Sequence, residues 1–201
     1  MTNEAPDYFP ALLEEIQDLD GPPEWDLLER AATEHPHDPR PLAFLGASLT
    51  NAGLVDVAEA AYLTALQRAP GFALARFQLG LLQFTSGRPA TGVATWGPLE
   101  ALGEGDPLCL FKRGMEALAL ERFEEARRWL LAGKAANTTN EALNRDMQMI
   151  IDRMVAANLL AAGGATESDA QPPAASPAAA PESAPAAGSE HYLVSSYGQR
   201  S

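Results

Sequence analysis

The chain has 201 residues, with 27 acidic residues, 14 basic residues, one cysteine and a net charge of −13. This length accommodates one domain with some tail, and one cysteine excludes both an intrachain disulfide and a zinc site built on cysteine pairs. The charge balance argues against binding phosphate backbones or anionic lipid, because both depend on clustered Lys and Arg.

The excess negative charge lies in the amino-terminal region. Residues 1–40 hold eleven acidic and two basic residues, whereas residues 41–160 hold twelve and eleven. The start, "MTNEAPDYFP", has no basic and no apolar segment of a secretion signal, and no apolar run approaches the roughly 18 residues needed to cross a bilayer. We therefore expect a cytoplasmic protein with no nucleic-acid partner and no integral membrane insertion.

A repeat runs through residues 39–140. Gly46, Gly80 and Gly114 are each separated by 34 residues. Gly53 with Gly87 and Tyr62 with Trp96 keep the same step, and Ala58 with Ala126 and Pro39 with Pro107 are separated by twice that step. A fixed period of this size is the signature of a helical repeat array.

The pattern resembles the tetratricopeptide repeat family, whose 34-residue unit is a pair of antiparallel helices with small residues where they cross. The resemblance implies an all-α, helical-hairpin solenoid with repeats at 39–72, 73–106 and 107–140. It also implies a degenerate capping repeat over residues 5–38, within the acidic region 1–38, with "DGPP" inserted at its turn. Glu121 and Gly133 depart from the family pattern in the third repeat.

Local signals support these boundaries without the family name. Asp38-Pro39 and Asp106-Pro107 each place a capping carboxylate before a proline at the first helical position. The stretch "TTNE" at 138–141 resembles a capping box. It opens a predicted capping helix at 141–160, on which six apolar residues recur at helical spacing: Leu143, Met147, Ile150, Ile151, Met154 and Val155.

Composition changes after residue 160. Residues 161–190 include twelve alanines, five prolines and no aromatic residue, which predicts a disordered linker. Residues 191–201, "HYLVSSYGQRS", follow as a short peptide motif with Tyr192, Leu193, Val194 and Tyr197. We interpret it as a docking peptide on a tether.

The family resemblance implies a ligand groove lined by first-helix side chains. In the first repeat these positions are Arg40, Ala43, Ala47 and Thr50. In the second and third repeats they are Leu74, Phe77, Leu81, Phe84, Leu108, Phe111, Met115 and Leu118. We expect an apolar groove that holds a segment of another protein, the chain's own amino-terminal helix or its own tail. The alternative is that Phe77 and Phe111 are core residues between the repeats.

Few residues offer catalytic or metal chemistry. His35, His37 and Asp38 could begin a metal site, but the two prolines around them favour an inter-repeat turn. Cys109 is interpreted as a small buried hydrophobe, not as a nucleophile. We therefore predict no catalytic residues, no metal and no cofactor.

The sequence favours a non-catalytic adaptor or scaffold that binds an apolar segment of a partner protein in the groove. Two alternatives stay open. The first is a small acidic secretion-type chaperone for a hydrophobic client. The second is a regulatory subunit of an enzyme complex that acts through the tail motif.

Overall fold

The computed structural model describes residues 7–17, 19, 21–157 and 159–160. These residues form α-helices, one 3₁₀ helix and connecting turns, with no strand among them. The α-helices are α1 (Phe9–Ile16), α2 (Pro22–Glu34), α3 (Arg40–Asn51), α4 (Val55–Arg68), α5 (Ala73–Thr85), α6 (Pro89–Trp96), α7 (Pro107–Ala119), α8 (Phe123–Ala136) and α9 (Glu141–Ala156). The 3₁₀ helix, Gly97–Leu102, follows α6 directly. The linker 161–190 and the peptide motif 191–201 lie outside the described residues.

The chain divides into two compact units, with the boundary between Phe72 and Ala73. The described part of the first unit contains α1 to α4, and α3 packs against both α2 and α4. The described part of the second unit contains α5 to α9, where α5 pairs with α6, α7 pairs with α8, and α9 packs on α8. Each repeat predicted from the sequence contains one hairpin: α3–α4, α5–α6 and α7–α8.

The three hairpin turns share one backbone geometry. Gly53, Gly87 and Glu121 occupy the same place in their hairpins and have φ angles of 76°, 82° and 58°. Left-handed backbone of this kind usually requires glycine. Glu121, which departs from the family pattern, therefore adopts the same backbone conformation as the glycines at the equivalent place in the other two hairpins.

Three glycines allow the two helices of each hairpin to approach closely. A Cβ atom on Gly46 would meet the ring of Tyr62 at 3.0 Å, and one on Gly114 would lie 2.8 Å from Leu130 Cγ. The tightest site is Gly80, where a Cβ atom would lie 2.5 Å from Trp96 Cε2. The 34-residue spacing of these glycines therefore reflects helix packing.

Helix starts agree with the sequence in one place and differ in two. Asp38 Oδ1 accepts a hydrogen bond from the Arg40 backbone N–H at 2.9 Å, and Asp106 Oδ1 accepts one from Leu108 at 2.8 Å. Asp106 is therefore confirmed as the cap of α7, with Pro107 as the first helical residue. Helix α3 instead begins at Arg40 with Pro39 as its N-cap, so Asp38 lies one residue before the cap position although it accepts this hydrogen bond. The capping box at 138–141 is wrong, because the residue that caps α9 is Asn140, whose Oδ1 accepts from the Leu143 N–H at 2.9 Å.

Helix α9 ends at Ala156, earlier than the predicted 160, and buries one face of the predicted stripe. Leu143, Met147 and Met154 are among its buried residues, whereas Val155 is 55% exposed. Val155 lies on the side of α9 away from the core, so it does not belong to the packed face.

Candidate functional site

The predicted groove residues of the second and third repeats lie on α5 and α7, and they divide into a buried set and a half-buried set. The buried set is Leu74, Phe77, Phe111 and Met115, and the half-buried set is Leu81, Phe84, Leu108 and Leu118. Phe77, Phe111 and Met115 have no exposed surface. The buried set therefore offers nothing for a partner to contact in this conformation.

The buried rings fill space inside the second unit. Phe77 stacks on Trp96 with centroids 5.6 Å apart, and it also approaches Phe111 at 6.0 Å. The indole N–H of Trp96 donates to the Phe77 carbonyl oxygen at 2.9 Å. Phe111 in turn lies against Gly133, where a Cβ atom would come within 2.5 Å of Phe111 Cε1. These two phenylalanines are core residues, which is the alternative that the sequence left open.

The half-buried set offers only part of its surface. The Phe84 ring is engaged by Trp96 of the same hairpin, with centroids 5.8 Å apart. The groove positions of the first repeat are also largely unavailable to a partner. Ala43 and Ala47 are buried, and Arg40 forms ion pairs with Asp7 and Asp38.

A cleft on the hairpin α7–α8 is a better candidate site. Its volume is about 240 Å³. The residues that line it are Arg113, Glu116, Ala117, Leu120, Arg122, Glu125 and Trp129. Ala117 and Trp129 form an apolar floor, and Leu120 is 62% exposed at its edge. The groove positions implied by the family resemblance lie on other faces of the first helix, so they do not include the residues of this cleft.

Charges of both signs surround the cleft. The Arg113 guanidinium lies over the Trp129 ring at 5.2 Å from the centroid and pairs with Glu104 at 3.0 Å. Arg122 lies 3.6 Å from Glu125. The charged residues that line the cleft are Arg113, Arg122, Glu116 and Glu125, two of each sign. Such a lining favours a partner segment that carries both positive and negative side chains.

Lys112 next to this cleft has a structural role. Its side chain is only 4% exposed and forms ion pairs with Glu100 at 2.8 Å and Glu116 at 2.9 Å. Burial lowers the pKa of Lys112, but the hydrogen bonds that it donates to the two carboxylates outweigh this effect, and the net pKa is raised. A nucleophilic lysine needs a depressed pKa, so this residue serves to attach the 3₁₀ helix to α7.

The other residues that could support catalysis or metal binding are in structural roles or are unsuited to it. Asp38 holds Arg40 and accepts a hydrogen bond from the Tyr8 hydroxyl at 3.0 Å. Cys109 is buried, and burial raises the pKa of its thiol, which disfavours the reactive thiolate. Among the described residues, no three His, Cys, Asp or Glu side chains converge as metal ligands.

The described helices include none that is both long enough and apolar enough to cross a bilayer. Comparison of the chain with protein-family models, with curated proteins and with solved structures finds no match.

Proposed function

We propose that the protein is a non-catalytic, cytoplasmic adaptor of the tetratricopeptide type that binds a segment of a partner protein. The three hairpins support the family assignment, because a left-handed turn residue and a glycine–side-chain contact recur at one interval in each. A helical-hairpin array of this kind is a scaffold for recognition, and the chemistry of a specific surface must decide what is recognised.

The α7–α8 cleft is the observation that carries the proposal. A volume of about 240 Å³ is below the range of roughly 300–1,000 Å³ typical of sites for drug-sized ligands. It suits one or two side chains of a protein segment. Trp129 is only 7% exposed and lies under Arg113, so it supports the cleft from below. Arg113 is of a residue type that contributes strongly to binding energy at protein interfaces, and Leu120 supplies an apolar edge.

Leu120→Glu tests this proposal because Leu120 is exposed and its replacement places a charge at the cleft without disturbing the core. The matched control is Leu131→Glu, since Leu131 belongs to the same hairpin, is 40% exposed and does not line the cleft. Wild type and both variants are used for affinity capture from an extract of the source cells, after circular dichroism has shown equal helicity.

We expect a partner that is retained by wild type and Leu131→Glu and is lost with Leu120→Glu. The same captured proteins for all three chains would contradict the assignment of the cleft. Detection of an enzymatic turnover by the purified chain would contradict the non-catalytic function itself.

A further inference from the structure

A second recognition surface lies in the first unit, where α1 rests on residues of the α2–α3 turn and of α3. We call it the anchor surface, and it consists of His35, Asp38, Arg40 and Phe44. The segment that meets it is the tripeptide Asp7-Tyr8-Phe9, in which Asp7 and Tyr8 directly precede α1 and Phe9 is the first residue of α1. Each of the three side chains makes a different kind of contact.

Asp7 supplies the charged contact. Its two carboxylate oxygens accept hydrogen bonds from Arg40 Nη1 and Nη2, both at 2.7 Å. This bidentate geometry is the strongest that an arginine makes with a carboxylate. These hydrogen bonds hold the pKa of Asp7 below its usual value.

The two aromatic residues complete the contact. The Tyr8 ring stacks on His35 with centroids 3.5 Å apart, and its hydroxyl donates to Asp38. Phe9 is fully buried and meets Phe44 edge-on at 6.0 Å. Arg40 also lies 4.6 Å from the centre of the Phe9 ring.

Contacts among residues outside α1 also organise the anchor surface. Asp38 accepts hydrogen bonds from the Arg40 backbone and from Arg40 Nε at 2.9 and 3.0 Å, and the Asp38 carbonyl oxygen accepts one from Arg68 at 3.3 Å. The guanidinium is therefore held in place with its outer edge directed to the position of Asp7. A pre-organised site of this kind loses little free energy in ordering itself on binding.

Beyond the tripeptide, helix α1 has one buried residue, Ile16, and two half-buried leucines, Leu12 and Leu13. It has eight residues, fewer than the roughly 12 that an isolated helix needs to be even marginally stable. Its residues Glu14 and Glu15 are exposed. A short element with few buried contacts opens at low free-energy cost.

We propose that the anchor surface is a binding site for a partner segment in which an acidic residue directly precedes two aromatic residues, and that α1 occupies this site in the free protein. The partner displaces α1 by reproducing the contacts of Asp7, Tyr8 and Phe9. The proposal concerns a surface separate from the α7–α8 cleft and does not depend on it.

The test uses the full chain with Asp7→Lys and Phe9→Ala, which removes the ionic and the buried contact of α1. The probe is a fluorescent peptide with the sequence of residues 5–17. We expect the variant to bind the peptide at least about tenfold more tightly than wild type, because the tethered α1 of wild type competes at a high effective concentration. Adding Arg40→Ala to the variant should abolish the gain.

Three results would overturn the proposal: equal affinity for wild type and variant, binding that persists without Arg40, or peptide-independent dimers of wild type that show α1 exchanging between two copies. A variant that does not fold is replaced by a measurement on wild type. Excess unlabelled peptide should then accelerate amide hydrogen exchange in residues 9–16, and unchanged exchange there would overturn the proposal equally.

Discussion

Gly80 shows how one residue sets the geometry of a hairpin. An alanine there would place its Cβ within 2.5 Å of Trp96 Cε2 and would displace the indole from its buried bond to the Phe77 carbonyl oxygen. Overpacking of this kind costs about 1–3 kcal/mol, which exceeds the roughly 0.5–1 kcal/mol that alanine gains over glycine in a helix. We predict that Gly80→Ala lowers the free energy of unfolding by about 1–2 kcal/mol.

Urea denaturation followed by circular dichroism checks this prediction. Gly105→Ala is the matched control, because a Cβ atom on Gly105 meets nothing within 4 Å and its φ is not in the left-handed region. The control should be neutral or slightly stabilising. Equal stability of Gly80→Ala and wild type would show that α5 and α6 do not approach closely enough to exclude an alanine side chain at this position.

Glu121 carries a conformational cost that glycine would remove. Its φ of 58° matches Gly53 and Gly87, and a residue with a Cβ pays about 1–2 kcal/mol in this conformation. Part of the gain from glycine is cancelled by the entropy of the unfolded chain. We expect Glu121→Gly to raise the free energy of unfolding by about 0.5–1 kcal/mol. Glu121→Ala removes the same charge and retains the Cβ, so a similar gain for both variants would exclude the conformational explanation.

At the scale of the element, the sequence predicted where the hairpins form more reliably than which of their side chains are exposed. The period of the glycines predicts each hairpin because a close helix crossing needs a small residue wherever it occurs. The orientation of Phe77 and Phe111 depends instead on the space left by their neighbours. Gly133 leaves room for the Phe111 ring. Assigning residues to the groove from equivalent family positions does not take such neighbouring space into account.

Asn137 joins α8 to α9 through a network that the sequence did not reveal. Its Nδ2 donates to the Asn140 carbonyl and to Asn144 Oδ1 at 2.8 and 3.0 Å, and its Oδ1 accepts from the Asn140 N–H at 3.1 Å. The side chain is buried, so its loss leaves polar groups unsatisfied at a cost of about 1–3 kcal/mol.

We predict that Asn137→Ala destabilises the chain by about 2 kcal/mol and selectively weakens the attachment of α9. Hydrogen exchange checks this prediction, because protection of amides 144–154 should fall more than protection of amides in α5. Asn144→Ala removes part of the network and should give a smaller effect of the same kind. A uniform loss of protection would mean that α9 does not open independently.

At the scale of the whole molecule, composition and periodicity predicted an all-α chain, and the described residues agree with this. The candidate site was predicted less well, because the α7–α8 cleft depends on the juxtaposition of Arg113, Leu120 and Trp129 from two helices. No spacing in the sequence identifies a cleft whose walls are contributed by ordinary surface residues.

The pH dependence of stability should include contributions of opposite sign from Asp7 and Asp146. Arg40 holds the pKa of Asp7 low, so the stabilisation from this pair is present above about pH 4 and is lost as pH falls further. Burial raises the pKa of Asp146 to about 6, from an ordinary value of 3.8. The unfolded chain therefore releases this proton first, and stability falls as pH rises from about 4 to about 6.

Asp146→Asn should remove the second contribution. The side chain is half-buried, so we expect a gain of about 1–2 kcal/mol at pH 7 that disappears near pH 3, where Asp146 is protonated in both states. Thermal unfolding of wild type and variant across this range measures the difference. Asp26→Asn, at an exposed position on α2, removes the same formal charge without relieving burial. A gain from Asp26→Asn equal to that from Asp146→Asn would assign the effect to the net charge of −13, because lowering self-repulsion acts wherever the charge lies.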